Sequence, residues 1–182
     1  MSDTPHSTVR VFFALWPNAA ERAALAAWQL PLRGLCGGRA MPDANLHNTL
    51  VFVGNVAEHR LEALQLAAQE VEAERFELRF DLARYWGHNH IVFAAPHAVP
   101  LQLAQLVHDL EQRLERHRFR FDRRDYKPHV TLLRHAKWSD VPLPEMPSVQ
   151  WPVHDFVLVQ SPRDEGDSQY RVLARFPLKP GA

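Results

Sequence analysis

The tetrapeptide His-x-Thr-Leu occurs twice in this chain, as His47-Asn48-Thr49-Leu50 and as His129-Val130-Thr131-Leu132. The chain has 11 histidines but only four threonines, so composition alone predicts roughly 0.03 copies of the pattern. Both copies lie in apolar, β-prone runs, Leu46 to Val53 and His129 to Leu133. Residues two apart on a strand share a face. His47 and Thr49 are therefore expected on one face, with Asn48, Leu50 and Phe52 on the other. In the second run His129 and Thr131 face one way, Val130 and Leu132 the opposite way. Each strand offers an imidazole beside a hydroxyl. Two such pairs facing one another would form a symmetric acid–base site, so the fold must bring together strands 82 residues apart.

The segments between them set the class. Val9 to Leu15 reads as a first strand ended by Trp16-Pro17. Asn18 with Glu21 three residues on is an N-cap with its capping-box partner. A helix is expected from Ala19 to Gln29, stopped by Pro31. Gly54 should close the first His-x-Thr strand. Leu61, Leu64, Ala68 and Val71 have helical spacing, predicting a helix to about Glu74. Phe76 to Leu82 alternates as a half-buried strand. Gly87-His88-Asn89-His90 reads as a hairpin turn into a strand at Ile91 to Ala94. Pro100 opens a helix with Leu103, Val107, Leu110 and Leu114 on one face. Four prolines between Val141 and Pro152 predict a stiff irregular connection. Val153 to Gln160 and Tyr170 to Phe176 read as closing strands around a polar turn from Arg163 to Gln169. The expectation is one α+β domain over residues 1–182, with two antiparallel-rich sheets or lobes meeting at a central cleft and flanking helices. Residues 1–8 are expected to form a flexible tail.

Composition narrows the function classes. Basic and acidic residues balance at 21 each, which argues against bulk electrostatic binding of long nucleic acid. A small or terminal nucleic-acid substrate met by a local patch remains open. Cys36 is the single cysteine, which suits a reducing compartment. No secretory pattern opens the chain, and no run approaches the ~18 apolar residues of a membrane span. A cytoplasmic location, no membrane contact and no obligatory protein partner are expected.

An imidazole titrates near ~6.5, so one neutral and one protonated histidine can coexist near neutrality. A pair in those two states can take a proton on one side of a reacting centre and give one on the other. The Thr49 and Thr131 hydroxyls can donate to oxygens on which charge grows in a transition state. Arg134, three residues beyond Thr131, is a candidate phosphate ligand. Arg113 to Lys127 interleaves cations with Phe119, Phe121 and Tyr126. That suits single-stranded RNA, with Arg118, Arg120, Arg124 and Tyr126 as candidate contacts, and equally suits a strand with Arg outward and Phe inward. Phe13 is a candidate for stacking on a base or a core residue. The scattered histidines form no metal-binding spacing, so no metal and no cofactor are expected.

The segments Val9 to Pro17 (VRVFFALWP), Leu46 to Gly54 (LHNTLVFVG) and Pro128 to Arg134 (PHVTLLR) together resemble the two-histidine phosphoesterases, and more narrowly the LigT-like RNA 2′,3′-cyclic phosphodiesterases, over nearly the whole chain. Asn48 departs from the apolar residue common there and is expected to make its strand less buried without affecting chemistry. The resemblance implies a bilobal fold with pseudo-two-fold symmetry. It also implies metal-free hydrolysis of a terminal cyclic phosphate to a 2′-phosphomonoester, with His47 as proton donor and His129 as proton acceptor. Three alternatives remain: a 2′-5′ RNA ligase running the same site in reverse, a cyclic phosphodiesterase acting on small nucleotides, and a non-catalytic RNA-binding module.

Overall fold

The computed structural model describes residues 7–139, 141–162 and 169–181. Ten strands and four helices follow the chain as β1 (Thr8–Leu15), α1 (Ala19–Ala26), α2 (Gln29–Cys36), β2 (Arg39–Ala40), β3 (Asn48–Ala57), α3 (Leu61–Gln69), β4 (Phe76–Phe80), β5 (Leu82–Trp86), β6 (Ile91–Ala95), α4 (Leu101–Arg116), β7 (Val130–Arg134), β8 (Val149–Val153), β9 (Asp155–Gln160) and β10 (Arg171–Pro177). An eight-stranded sheet has the order β10-β9-β1-β3-β7-β6-β5, with β2 added to β7, and β4 pairs with β8 in a separate ribbon. The strand pairs are antiparallel. The α+β architecture expected from the sequence is the one observed.

The large sheet is two halves joined at a narrow seam. β3 and β7, the two His-x-Thr strands, meet through one residue pair, Asn48 with Val130. On one side of that seam lie β1, β9 and β10, on the other β6, β5 and β2. Helical side chains such as Leu25, Leu32, Leu64, Leu106 and Leu110 join the main core on one face of both halves. The opposite face carries two small apolar clusters. One gathers Phe12, Ala14, Val157 and Val159 with Trp16, Phe52 and Tyr170 around them. The other gathers Ile91, Phe93 and Ala95 with Leu82 and Trp86.

Several sequence expectations change. Pro31 does not end the first helix. It sits in the first turn of α2, where a proline's missing N–H leaves no intrahelical bond unmade, and the break falls earlier, at Ala27 and Trp28. Gly54 does not close β3; its φ of 89° carries the strand through an irregularity to Ala57. The third helix ends at Gln69 rather than near Glu74. Phe76 to Leu82 is split between β4 and β5, which belong to different sheets. The proline-rich stretch ends in β8, with Pro152 on a two-stranded ribbon where its missing donor is tolerated. Ser7 donates to Glu58 and Thr8 opens β1, so the expected tail loses its last two residues. Residues 1–6 and most of the expected Arg163–Gln169 turn lie outside the described residues.

Candidate active site

Both His-x-Thr strands carry the same irregularity. Along β1 and β3, Phe13 pairs with Val51 and Ala14 with Thr49, leaving Leu50 as an extra residue. Along β6 and β7, Val92 pairs with Leu133 and Phe93 with Thr131, leaving Leu132 as the extra one. A bulge of this kind inserts one residue and resets the alternation. Each leucine of His-x-Thr-Leu therefore turns into the main core together with its successor: Leu50, Val51, Leu132 and Leu133 are all buried. The residues after them return to the face of the threonines. Phe52 thus joins the cluster around Phe12, against the expectation from simple alternation. Arg134 reaches the groove beside Thr131 for the same reason. The Leu132 carbonyl, facing the β2 side of β7, accepts from the Met41 N–H at 2.9 Å and from the buried Gln29 amide at 3.1 Å.

The histidines are anchored alike. His47 Nδ1–H donates to the Asn45 carbonyl at 2.7 Å, and His129 Nδ1–H donates to the Lys127 carbonyl at 2.8 Å, each two residues back. A carbonyl can only accept, so both rings carry the proton on Nδ1 and leave Nε2 for chemistry. The Thr49 hydroxyl lies 3.0 Å from His47 Nε2 and donates to it when the ring is neutral. Aromatic rings back each imidazole. Trp16 stacks on His47 at 5.8 Å, Phe12 lies at 4.8 Å and Tyr170 meets it edge-on at 5.4 Å. Trp86 and Phe93 meet His129 edge-on at 4.8 and 5.6 Å. Burial lowers the pKa of both rings. It pulls His47 down to about 4, opposed by its Asn45 hydrogen bond and aided by the charges of His129, Arg134 and Arg22.

A groove of about 630 Å³ runs over this face. Thr49, His129, Thr131 and Arg134 line it, together with Arg10, Phe52, Arg124 and Tyr126. The sequence candidates divide accordingly. Thr49, His129, Thr131 and Arg134 share the groove, and His47 stands behind Thr49, within electrostatic reach of His129 and Arg134. Phe13 does not join them: it is fully buried between Phe156 and Phe176 and has no ring face to offer a base. Phe52 lines the groove instead, with Phe12 buried on the same face of the sheet. Arg118 does not line the groove. It occupies the left-handed position after α4 (φ 64°), where Phe119 N–H returns to the Leu114 carbonyl as a helix stop. Arg120 is exposed outside the groove, while Phe119 and Phe121 turn inward under Arg60 and Arg123. Arg124 lines the groove, paired with Asp122 at 2.8 Å.

Asn48 is not at a loosely buried position. It is fully buried at the seam, and its amide donates to the Tyr126 hydroxyl at 2.8 Å. Burial raises the Tyr126 pKa, so the phenol stays protonated. The sequence reading missed this pair, and Gln29 as well. The available signal was a polar side chain inside an apolar run, since a buried amide needs a partner. Among the described residues no group of three or more His, Cys, Asp or Glu side chains is gathered as metal ligands.

Comparison with known proteins agrees with the geometry. The family model described as the 2′-5′ RNA ligase superfamily matches residues 16–165. The RNA 2′,3′-cyclic phosphodiesterase of Escherichia coli strain K12 is 32% identical over 93% of this chain and 96% of its own length. The protein of that name from Thermus thermophilus is 32% identical over 94% of this chain and 91% of its own length. The crystal structure of E. coli LigT complexed with 3′-AMP superposes with a TM-score of 0.82 at 30% identity, covering 94% of this chain and 99% of that one.

Proposed function

The chain belongs to the 2′-5′ RNA ligase superfamily, and on that premise we propose that it hydrolyses RNA-terminal 2′,3′-cyclic phosphate to a 2′-phosphomonoester. The observation that carries the reading is the pair of His-x-Thr strands, anchored through the same Nδ1–carbonyl bond on the two sides of one seam. Water enters opposite the 3′-oxygen and gives a proton to His129 Nε2 as its oxygen bonds to phosphorus. The bond from phosphorus to O3′ breaks, and His47 Nε2–H protonates O3′. The 2′-ester survives, which fixes the product isomer. Thr49 and Thr131 donate to the non-bridging oxygens, where charge grows. Arg134 holds the phosphate. Phe52, with the Arg10 guanidinium 5.0 Å from its ring centre, offers the flat apolar surface a base requires.

Burial keeps His47 neutral in the free protein, whereas the donor role requires its protonated form. The bound phosphodiester resolves this, because an anion beside Nε2 favours the imidazolium. The donor is thus loaded with substrate present. Side chains supply every proton transfer in this scheme, so activity should persist in EDTA.

The test is incubation of the protein in EDTA with RNA ending in 2′,3′-cyclic phosphate, with and without a 5′-hydroxyl acceptor, followed by identification of the product. A 2′-phosphate in both arms supports the hydrolase. A 2′-5′ junction formed only with the acceptor supports the reverse reaction. Turnover of a cyclic mononucleotide with none on RNA points to a small substrate. Binding without turnover, unaffected by loss of either histidine, reduces the site to an RNA-binding module.

A further inference from the structure

One side chain outside the His-x-Thr strands touches both the ring stacked on His47 and the turn that anchors its Nδ1–H. We propose that Arg22 is a positioning residue for His47, acting through Trp16 and through the turn at Asp43–Asn45. The proposal rests on His47 having a chemical role.

Arg22 projects from the first turn of α1. Its guanidinium donates to three carbonyls: Pro17 at 3.3 Å, Leu46 at 3.4 Å, and Asp43. Pro17 follows Trp16 in sequence, and Asp43 and Leu46 bracket Asn45. The guanidinium carbon lies 5.3 Å from the centre of the Trp16 ring. Trp16 in turn stacks on His47 with only 20° between the planes. The Asn45 carbonyl accepts from His47 Nδ1–H. One cation therefore ties down both the ring that packs on the imidazole and the turn that fixes its tautomer.

The geometry requires arginine. Three separate carbonyls and an aromatic face call for a planar fork with five donors in fixed directions. A lysine would keep the charge and lose the fork. The charge itself also matters, because Arg22 helps hold the His47 proton off. The other groups that act on this imidazole are His129 and Arg134 through their charge, the Thr49 hydroxyl that donates to neutral Nε2, the Phe12 and Tyr170 rings, and the Asn45 carbonyl, which works in the opposite direction. Positioning and charge can therefore be separated by two substitutions.

The experiment compares Arg22→Met and Arg22→Lys with the wild type by steady-state kinetics on cyclic-phosphate RNA and by NMR titration of the His47 ring. A displaced catalytic group typically costs on the order of 10²-fold. We expect Arg22→Met to lower kcat about 10- to 100-fold with KM nearly constant, and to move the His47 titration to higher pH. Arg22→Lys should leave the titration midpoint near that of the wild type while recovering little of kcat. Full recovery of kcat in Arg22→Lys overturns the proposal, since geometry would then be idle. So does wild-type kcat in both variants, or a loss explained entirely by a lower folded fraction. If the wild type hydrolyses no cyclic phosphate, the proposed function fails on its own. The ring spectra then decide this point: loss of the Nδ1–H tautomer in Arg22→Met supports positioning, and its retention overturns it.

Discussion

Phe52 holds in the first half of the sheet the place that Arg134 holds in the second. Each stands three residues after a motif threonine, and each is returned to the threonine face by a bulge at the intervening leucine. One half thus aims an aromatic ring at the groove and the other a guanidinium. The proposed substrate, with one anionic centre and one flat base, fits that difference, which would set its orientation across the two histidines. Replacing Arg134 with Gln should raise KM for cyclic-phosphate RNA by about 10- to 100-fold, the worth of a charge-assisted contact. Phe52→Leu should cost about 5- to 100-fold in affinity for a substrate with a base, by loss of stacking. It should cost far less for an abasic cyclic ribose phosphate, which direct binding measurements will compare.

His47→Ala and His129→Ala should each reduce turnover by at least ~10²-fold while circular dichroism stays native. Near wild-type turnover in either variant would remove the paired acid–base scheme.

Thr49→Val and Thr131→Val should lower kcat by about 10- to 10³-fold, each removing one donor to the phosphoryl oxygens. Thr49→Val should also shift the His47 titration, because that hydroxyl donates to neutral Nε2 and favours the unprotonated ring. Thr131→Val lacks this second effect if the two hydroxyls differ as the geometry has them.

For kcat/KM, which reports the free enzyme, the optimum should lie on the acid side of neutrality. His47 is held at about 4 and His129 is also lowered. The pair must hold one proton in all, and that proton is lost as pH rises through the higher of the pair's two apparent pKa values, which lies below the ordinary ~6.5. Activity should fall from pH 6 to pH 8. The profile of kcat should stand at higher pH, since bound phosphate favours the imidazolium. A kcat/KM that keeps rising to pH 9 would contradict this.

Leu132→Ala should destabilise the fold by about 2–4 kcal/mol, since the side chain is fully buried. The Leu50→Ala cost should be similar. Arg118→Gln and Arg120→Gln should leave RNA binding unchanged, whereas Arg124→Gln should weaken it, as a salt titration of binding will read.

Several elements were legible in the sequence: β1, α4 with its buried leucines, and the turn at Gly87–His90 leading into β6. So were the two histidine–threonine pairs, because period-two alternation holds as far as each threonine. It fails one residue later. Nothing in Thr49-Leu50-Val51-Phe52 announces a bulge, since two adjacent apolar residues suit a buried strand equally well. Phe13 and Phe12 could not be told apart for the same reason: both are apolar and both are buried, and only the fold decides which lies on the helix-covered face. Pro31 misled because a proline in a first turn and a proline that stops a helix read alike. Arg22 carries no sequence signal, since its three carbonyl partners are backbone atoms.

The seam between Asn48 and Val130 is a single rung. A ladder that thin gives the two halves of the sheet little backbone stiffness against each other, so on the proposed reading the phosphate acts as a strut: gripped by Thr49 on one side and by Thr131 and Arg134 on the other, it would bridge what the main chain leaves open. Ligation of the groove and rigidity of the molecule are then one event. Vanadate or a 2′-nucleotide should slow amide exchange on β3 and β7 together, and the enzyme will be stiffest at the moment it must let its product go.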